Sequence, residues 1–212
     1  MQAAKPQKKL IAAIGGVLGI FLGILFIFVL EYLEKRLMDI EELSKMTRGA
    51  VPIFGFFPKT KTGLLPIDPK RPDRDLSEAA ETAYTRAHLT ERERASKVIA
   101  ITSPEPNSGS STIAYYLAQT IARSRERVLL IDGALRYPNL TKRLGLPNQS
   151  LGFSQAISSG FNERVAPLSL LPGLDFLPAG KTEEHPLALF RGKRFEEWIA
   201  ATAKEYDRIL ID

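Results

Sequence analysis

Val98–Thr112 reads VIAITSPEPNSGSST. A short apolar run, Val98–Thr102, passes into a loop of Ser, Pro, Asn and Gly, and an apolar-periodic helix is predicted near Thr112–Ser124. Strand, small-residue loop and helix in that order make a phosphate cradle, because loop N–H groups and the helix N-terminus face the same anion. The alternation continues downstream. Val128–Ile131 (VLLI) reads as a strand ending at Asp132, and Leu168–Leu171 and Phe176–Leu177 suggest further strands. Phe195–Tyr206 reads as a helix through Phe195, Trp198, Ile199 and Ala203, and Arg208–Asp212 (RILID) as the last strand. Strands alternating with helices predict an α/β fold: a parallel sheet with helices on both faces.

Open α/β sheets bind ligands at the C-terminal ends of their strands. Three such ends are readable. The loop after the first strand offers Asn107, Ser108, Gly109, Ser110, Ser111 and Thr112 as phosphate-binding positions. Asp132 and Asp212 each follow an apolar strand, where an acid beside a phosphate loop can hold Mg²⁺ or its waters. Ser111, Asp132 and Asp212 are the candidate metal set, and Asp132 and Asp212 the candidate catalytic acids. A Ser-rich turn is often only a turn and an Asp after a strand often only a cap; the order of the three pieces carries the reading.

The front of the chain is of another kind. Leu10–Leu30 (LIAAIGGVLGIFLGILFIFVL) carries no charge, and as a helix it reaches roughly 30 Å, the thickness of a bilayer's hydrocarbon core. EYLEKR follows, where a secretory signal would have a small-residue cleavage site, so one transmembrane helix is predicted over 10–30. Gly15, Gly19 and Gly23 fall on one helix face and suit close packing against a second copy or another span. Residues 1–9 form a basic flank with Lys5, Lys8 and Lys9. Residues 31–97 and 98–212 each hold 13 basic and 12 acidic side chains, so most of the net charge of +5 sits at the membrane end. It is no footprint for nucleic acid. Lys35, Arg36, Lys45 and Arg48 beyond the span nearly tie the flanking charge counts.

Residues 31–57 read as juxtamembrane helices and a short extended segment or edge strand. Leu33, Leu37 and Ile40 keep helical spacing, Asp39 and Glu42 suit a capping box, and Gly49 would end that helix. Val51–Phe57 is strand-like but holds Pro52 and Gly55. Residues 58–75, with Pro58, Pro66, Pro69 and Pro72, read as an extended, mobile linker. Asp75 and Glu78 suit a capping box for a helix to about Leu89 that opens the domain at 76–212. The 212 residues contain no cysteine, and their two histidines, His88 and His185, lie far apart. Disulfide scaffolds, Cys-ligated metals, thiol nucleophiles and a Ser-His-Asp triad are therefore poor readings.

These segments together resemble the bacterial tyrosine kinases fused to polysaccharide co-polymerases, the chain-length determinants of capsule and exopolysaccharide export. KKLIAAIGGVLGIFLGILFIFVLEYLEKR is similar to that family's last membrane span, and DIEELSKMTRGAVPIFGFFP to the segment after it. VIAITSPEPNSGSSTIAYYLAQTIA resembles the Walker A region, RVLLIDGALRYPNLTKRLGLPN the Walker A′ region and YDRILID the start of Walker B. LGFSQAISSG and LDFLPAG are also similar. The resemblance implies a P-loop NTPase-like sheet, Mg-ATP or Mg-ADP as cofactor, and polysaccharide export and polymerase machinery as partners. It also implies a place in the bacterial inner membrane with residues 31–212 cytoplasmic.

The departures are as informative. The family's phosphate loop resembles G-x-G-K-[ST]-T; here Asn107 stands at the first glycine and Ser110 at the lysine. The Walker A′ pattern D-x-D-x-R becomes Asp132-Gly133-Ala134-Leu135-Arg136, without the second acid. The self-association pattern E-x-x-R-x-x-R aligns with Glu81, Tyr84 and Ala87, so both arginines are absent. Family members continue past the position of Asp212 into more sheet and a tyrosine-rich tail, and a gene fragment, a split gene and an early stop all fit. Three functions follow. The first is a kinase-like membrane protein of exopolysaccharide export with impaired catalysis. The second is an active tyrosine autokinase. The third is a membrane-tethered ATPase of the partitioning type, which needs a loop lysine more and explains EYLEKR less.

Overall fold

The computed structural model describes residues 8–33, 51–59, 66–89, 96–105, 107–146, 151–158, 165–181 and 185–212. Two compact units divide the chain, Met1–Ile53 and Phe54–Asp212. In the first, helix α1 runs over Lys8–Leu33, 26 residues. Its described side chains, Ala12 and residues 14–29, are all exposed. Among the described residues no helix is long and apolar enough to cross a membrane. The expected span over 10–30 therefore stands as a proposal. The juxtamembrane capping box at Asp39 and Glu42 lies outside the described residues.

The second unit is a five-stranded sheet with helices on both faces. Its helices and strands are α2 Arg74–Leu89, β1 Val98–Ala100, α3 Ser110–Arg123, β2 Val128–Ile131, α4 Asn139–Arg143 and α5 Phe153–Ser158, then β3 Leu168–Leu171, β4 Leu174–Leu177, α6 Pro186–Phe190, α7 Lys193–Glu205 and β5 Arg208–Ile211. The strand order is β1-β5-β2-β4-β3. The β1/β5, β5/β2 and β2/β4 pairs are parallel; β3 is antiparallel to β4. The all-parallel expectation fails at β3, because only Pro172 and Gly173 separate Leu171 from Leu174. Gly173 takes φ 81°, a turn conformation that closes a hairpin. The last strand, β5, lies inside the sheet, hydrogen-bonded to β1 and β2.

Every side chain of β2 is buried, as a central parallel strand requires. Alternation sends Val128 and Leu130 to one face, with Phe176, Leu210 and the Ala114, Tyr115, Ala118 and Ile121 stripe of α3. Leu129 and Ile131 go to the other, with Phe153, Ile157 and Leu189. There Trp198 and Phe195 cover the core edge, as their spacing predicted. The rings of Phe153 and Trp198 meet edge to face with centroids 5.4 Å apart.

Val51–Phe57 forms no strand; Pro52 and Gly55 leave it extended without a ladder. Residues 66–75 of the linker are more ordered than their composition predicts. Ile67 is buried and its N–H donates to the Arg143 carbonyl at 2.7 Å. The Asp73 N–H donates to the Tyr116 hydroxyl oxygen at 2.9 Å. Asp73, not Asp75, caps α2: its Oδ1 accepts from the Leu76 N–H at 3.2 Å, and α2 opens at Arg74.

Candidate functional site

The loop from β1 to α3 lies at the C-terminal end of the sheet. Asn107 (φ 63°) and Gly109 (φ 99°) both take left-handed backbone conformations. Gly109 is the residue before α3, and no side chain caps the helix there. The first-turn N–H groups of Ser110, Ser111 and Thr112 are thus left open to an anion, with the positive end of the helix dipole behind them. Ser108 is turned back to the loop, its Oγ donating to the Glu105 carbonyl at 2.5 Å.

β2 and β5 bring the two predicted acids side by side. The Asp212 N–H donates to the Ile131 carbonyl at 3.0 Å, and the Gly133 N–H to the Asp212 carbonyl at 2.9 Å. A Cβ on Gly133 would sit 2.8 Å from that carbonyl oxygen, so only glycine fits the crossing. Asp132 is fully buried. Its Oδ2 accepts from the Thr141 N–H at 2.8 Å and the Thr141 hydroxyl at 2.7 Å, and its Oδ1 from the Ala134 N–H at 3.2 Å. Burial pushes its pKa above the usual carboxylate value; the Thr141 bonds pull the other way, and the nearby Asp212 charge adds to the rise. Asp212 is also raised by burial, against hydrogen bonds from Ser111 and Ser110 and the Arg143 charge. Its Oδ2 is buried without a hydrogen-bond partner.

Across the loop stands α4. Arg143 donates from Nη1 to Thr112 Oγ1. Asn107, Gly109, Ser110 and Ser111 form one wall of a cleft of about 330 Å³; Asn139, Lys142 and Arg143 form the other, with Pro66 at the rim. The six predicted loop positions are therefore brought together at one helix end, but Asp132 and Asp212 do not line this cleft. The phosphate part of Mg-ATP or Mg-ADP fits the cradle: an uncapped helix end, two left-handed residues and two cations. The metal part fits less well. A metal on Asp132 would displace its Thr141 bonds, and among the described residues no three His, Cys, Asp or Glu side chains gather. Sequence reasoning missed Lys142, Arg143 and Thr141. Their signal was KR in the last turn before Gly145, which reads as an ordinary helix end.

Arg136 meets His185 (Nη2 to Nε2, 2.7 Å). His185 opens α6, its Nδ1 accepting from the Leu187 N–H at 3.3 Å. Tyr84, at the place of one missing arginine, is tied into its own chain: its hydroxyl donates to Glu126 Oε1 at 2.5 Å, and Arg208 Nε donates to Glu126 Oε2 at 3.0 Å.

No family model matches the sequence. The chain is 25% identical to the tyrosine-protein kinase Wzc of Salmonella typhimurium over 225 residues, 98% of this chain and 31% of that protein. It is 30% identical to the tyrosine-protein kinase YwqD of Bacillus subtilis over 136 residues, 64% of this chain and 57% of that one. Among solved structures, the BceF tyrosine kinase domain matches with a TM-score of 0.69 at 25% identity, covering 83% of this chain and 76% of that one. The chain is a relative of the bacterial tyrosine kinases. The chimerical protein CapA2B2 agrees, with a TM-score of 0.68 at 26% identity over 82% of this chain and 74% of that one. The kinase domain of Escherichia coli ETK, 19% identical, shares the fold with a TM-score of 0.67. This bacterial tyrosine kinase relative spans about 30% of the length of the first curated proteins it matches.

Proposed function

We propose that the chain is a membrane-anchored, kinase-like protein of exopolysaccharide or capsule biosynthesis and export, with impaired phosphoryl transfer. One observation carries the impairment. At the position where the resemblance places a loop lysine, the short Ser110 hydroxyl turns to Asp212. A lysine there would reach the terminal phosphates and offset the charge that develops in transfer; a serine is short and neutral. Asp132 is committed to Thr141 and Ala134, and Ala134 stands at the second Walker A′ acid.

The anchor is supported by the uncharged run over 10–30. Around Gly15, Gly19 and Gly23 an added Cβ would meet no atom, which leaves that stripe open to a second copy or another span. Nucleotide use favours a cytoplasmic position for residues 31–212 at the bacterial inner membrane, with the export machinery as partner. The domain division 1–9, 10–30, 31–57, 58–75 and 76–212 belongs to the same reading.

The test is autophosphorylation of the purified full chain in detergent with Mg-ATP, read with a phosphotyrosine antibody. The expected result is no signal. A signal that disappears in Asp132→Asn would establish the active autokinase instead.

A further inference from the structure

We infer that the N-terminal end of the sheet, at the strand ends away from the candidate site, is a basic face that rests on anionic lipid headgroups. This rests on the proposed anchor over 10–30 and goes beyond it, because the contact is made by the folded unit and not by the anchor.

Topology builds the face. β1, β5 and β2 are parallel neighbours, with Val98 beside Ile209 and Val128 beside Arg208. Their first residues therefore lie in one row, preceded by Lys97, Asp207 and Arg127. The Asp207 N–H donates to the Arg127 carbonyl at 2.8 Å, and the Ile209 N–H to the Lys97 carbonyl at 2.7 Å. α3 returns to this end to feed β2, so Arg123 in its last turn and Arg125 in the connection join the row. Lys97 Nζ donates to the Ala203 carbonyl at 3.0 Å, which brings the last turn of α7 and its Lys204 alongside. Lys97, Arg123, Arg125, Arg127 and Lys204 are all exposed.

Charge balance makes the face positive. Its acids Glu126 and Asp207 are already paired: Arg208 Nε lies 3.0 Å from Glu126 Oε2, and Arg127 Nε 3.6 Å from Asp207 Oδ2. The bond from the Arg127 N–H, with the Arg127 and Lys97 charges behind it, holds the Asp207 carboxyl below the usual carboxylate value. Among the described residues no ion pair holds Lys97, Arg123, Arg125 or Lys204, and Glu205 offsets one of the four. Residues 98–212 as a whole are nearly balanced, with 13 basic and 12 acidic side chains, so the excess is local. Single exposed arginines are ordinary; cations gathered at the ends of adjoining elements make a field.

Two observations favour lipid over an acidic protein. Tyr84, bonded to Glu126, places the end of α2 at this face, and Leu89 there is 76% exposed. An apolar side chain among cations suits the headgroup boundary. The proposed anchor keeps the unit beside a bilayer, where weak charge contacts act at high effective concentration. Docked this way, the loop 107–112, Asp132 and Asp212, at the opposite strand ends, face away from the lipid.

The experiment uses the full chain, which has no cysteine, carrying Ser124→Cys or, in a second sample, Tyr137→Cys at the opposite strand ends. Both positions are exposed. Each is labelled with a fluorophore, and the chain is reconstituted into vesicles that contain a nitroxide-headgroup lipid as quencher. The vesicles are phosphatidylcholine alone, or phosphatidylcholine and phosphatidylglycerol in about equal parts. The expected result is quenching at position 124 in the phosphatidylglycerol vesicles only, none at position 137, and loss of the quenching at about 0.5 M salt. The double variant Arg123→Gln, Arg125→Gln should weaken the docking equilibrium about tenfold or more, from roughly fivefold per cation. Both arginines are exposed, and far-ultraviolet dichroism checks that the fold is kept. Equal quenching in both vesicle types, equal quenching at both positions, or no effect of the double variant overturns the inference. So does loss of the quenching to soluble polyglutamate at equal charge, which would assign the face to an acidic polypeptide. Flotation keeps the two readings apart. Chain that stays with phosphatidylcholine vesicles through a high-salt wash has the anchor, whatever the probes show. Chain that floats only with phosphatidylglycerol and washes off has the basic face without the anchor, and chain that floats with neither has lost both.

Discussion

Thr141→Val tests the physical core of the site. Valine keeps the volume of threonine and the backbone N–H, and removes one hydroxyl hydrogen bond of 2.7 Å to a fully buried carboxylate. A hydrogen bond to a charged group contributes about 1.5–3 kcal/mol, so a loss of about 2 kcal/mol is expected. In a unit the size of Phe54–Asp212, each kcal/mol moves Tm by about 2–4 °C. Scanning calorimetry of the full chain in detergent at about pH 7.5 should then show Tm lower by about 4–8 °C. The pH dependence has a definite sign. Burial holds the Asp132 pKa above its usual 3.8, and the Thr141 bonds oppose that rise. Without the hydroxyl the folded pKa climbs further. The variant's deficit is therefore largest where Asp132 is ionised and shrinks as the pH falls through the raised pKa and the carboxyl gains a proton. Thr141→Ser, which keeps the hydroxyl, should lose less than half as much. A Tm within about 1 °C of wild type at about pH 7.5, or a deficit constant across pH, would refute the role given to this bond.

Gly152→Ala should prevent stable folding, because its Cβ would collide with the Pro178 carbonyl and the Gly180 backbone; soluble yield and far-ultraviolet dichroism check this. Tyr84→Phe should cost about 1–2 kcal/mol at neutral pH, read by denaturant unfolding, through loss of the bond to Glu126. Burial and that bond push the Tyr84 pKa up to about 12. Its stabilisation is thus present below the ordinary tyrosine value of 10 and lost as pH rises through about 12, so the gap between wild type and variant should narrow there. Asp212→Asn removes a carboxyl whose pKa is raised by burial. Relative to wild type, the variant's Tm should rise as pH increases from about 3.8 to 7; a flat difference would contradict the assigned shift.

How far the sequence alone could be read depends on the distance over which each signal acts. β1, β2 and β5 were legible because VIA, VLLI and RILI are apolar runs bounded by polar residues. The β3–β4 hairpin was half legible: both runs stood out, but the direction of β3 depended on the short turn through Gly173. The cap at Asp73 lost to the equally good pattern of Asp75 and Glu78, and a distant Tyr116 hydroxyl holds the true start of the helix. The loop from Asn107 to Thr112 was found because its residues are adjacent. Lys142 and Arg143 were not, because the charge crosses from one βα connection to its neighbour, and no local spacing encodes that crossing.

The interior place of β5 governs the order in which the molecule can be assembled. Val98 of β1 finds its partner Ile209 more than a hundred positions later, and β2 waits for the same strand on its other side. At ribosomal speeds of 5–20 residues per second, that interval lasts about 5–20 s, during which the amide edges of β1 and β2 are exposed to other nascent chains. A cell making this protein thus leaves those edges unpaired until the RILI segment emerges from the ribosome.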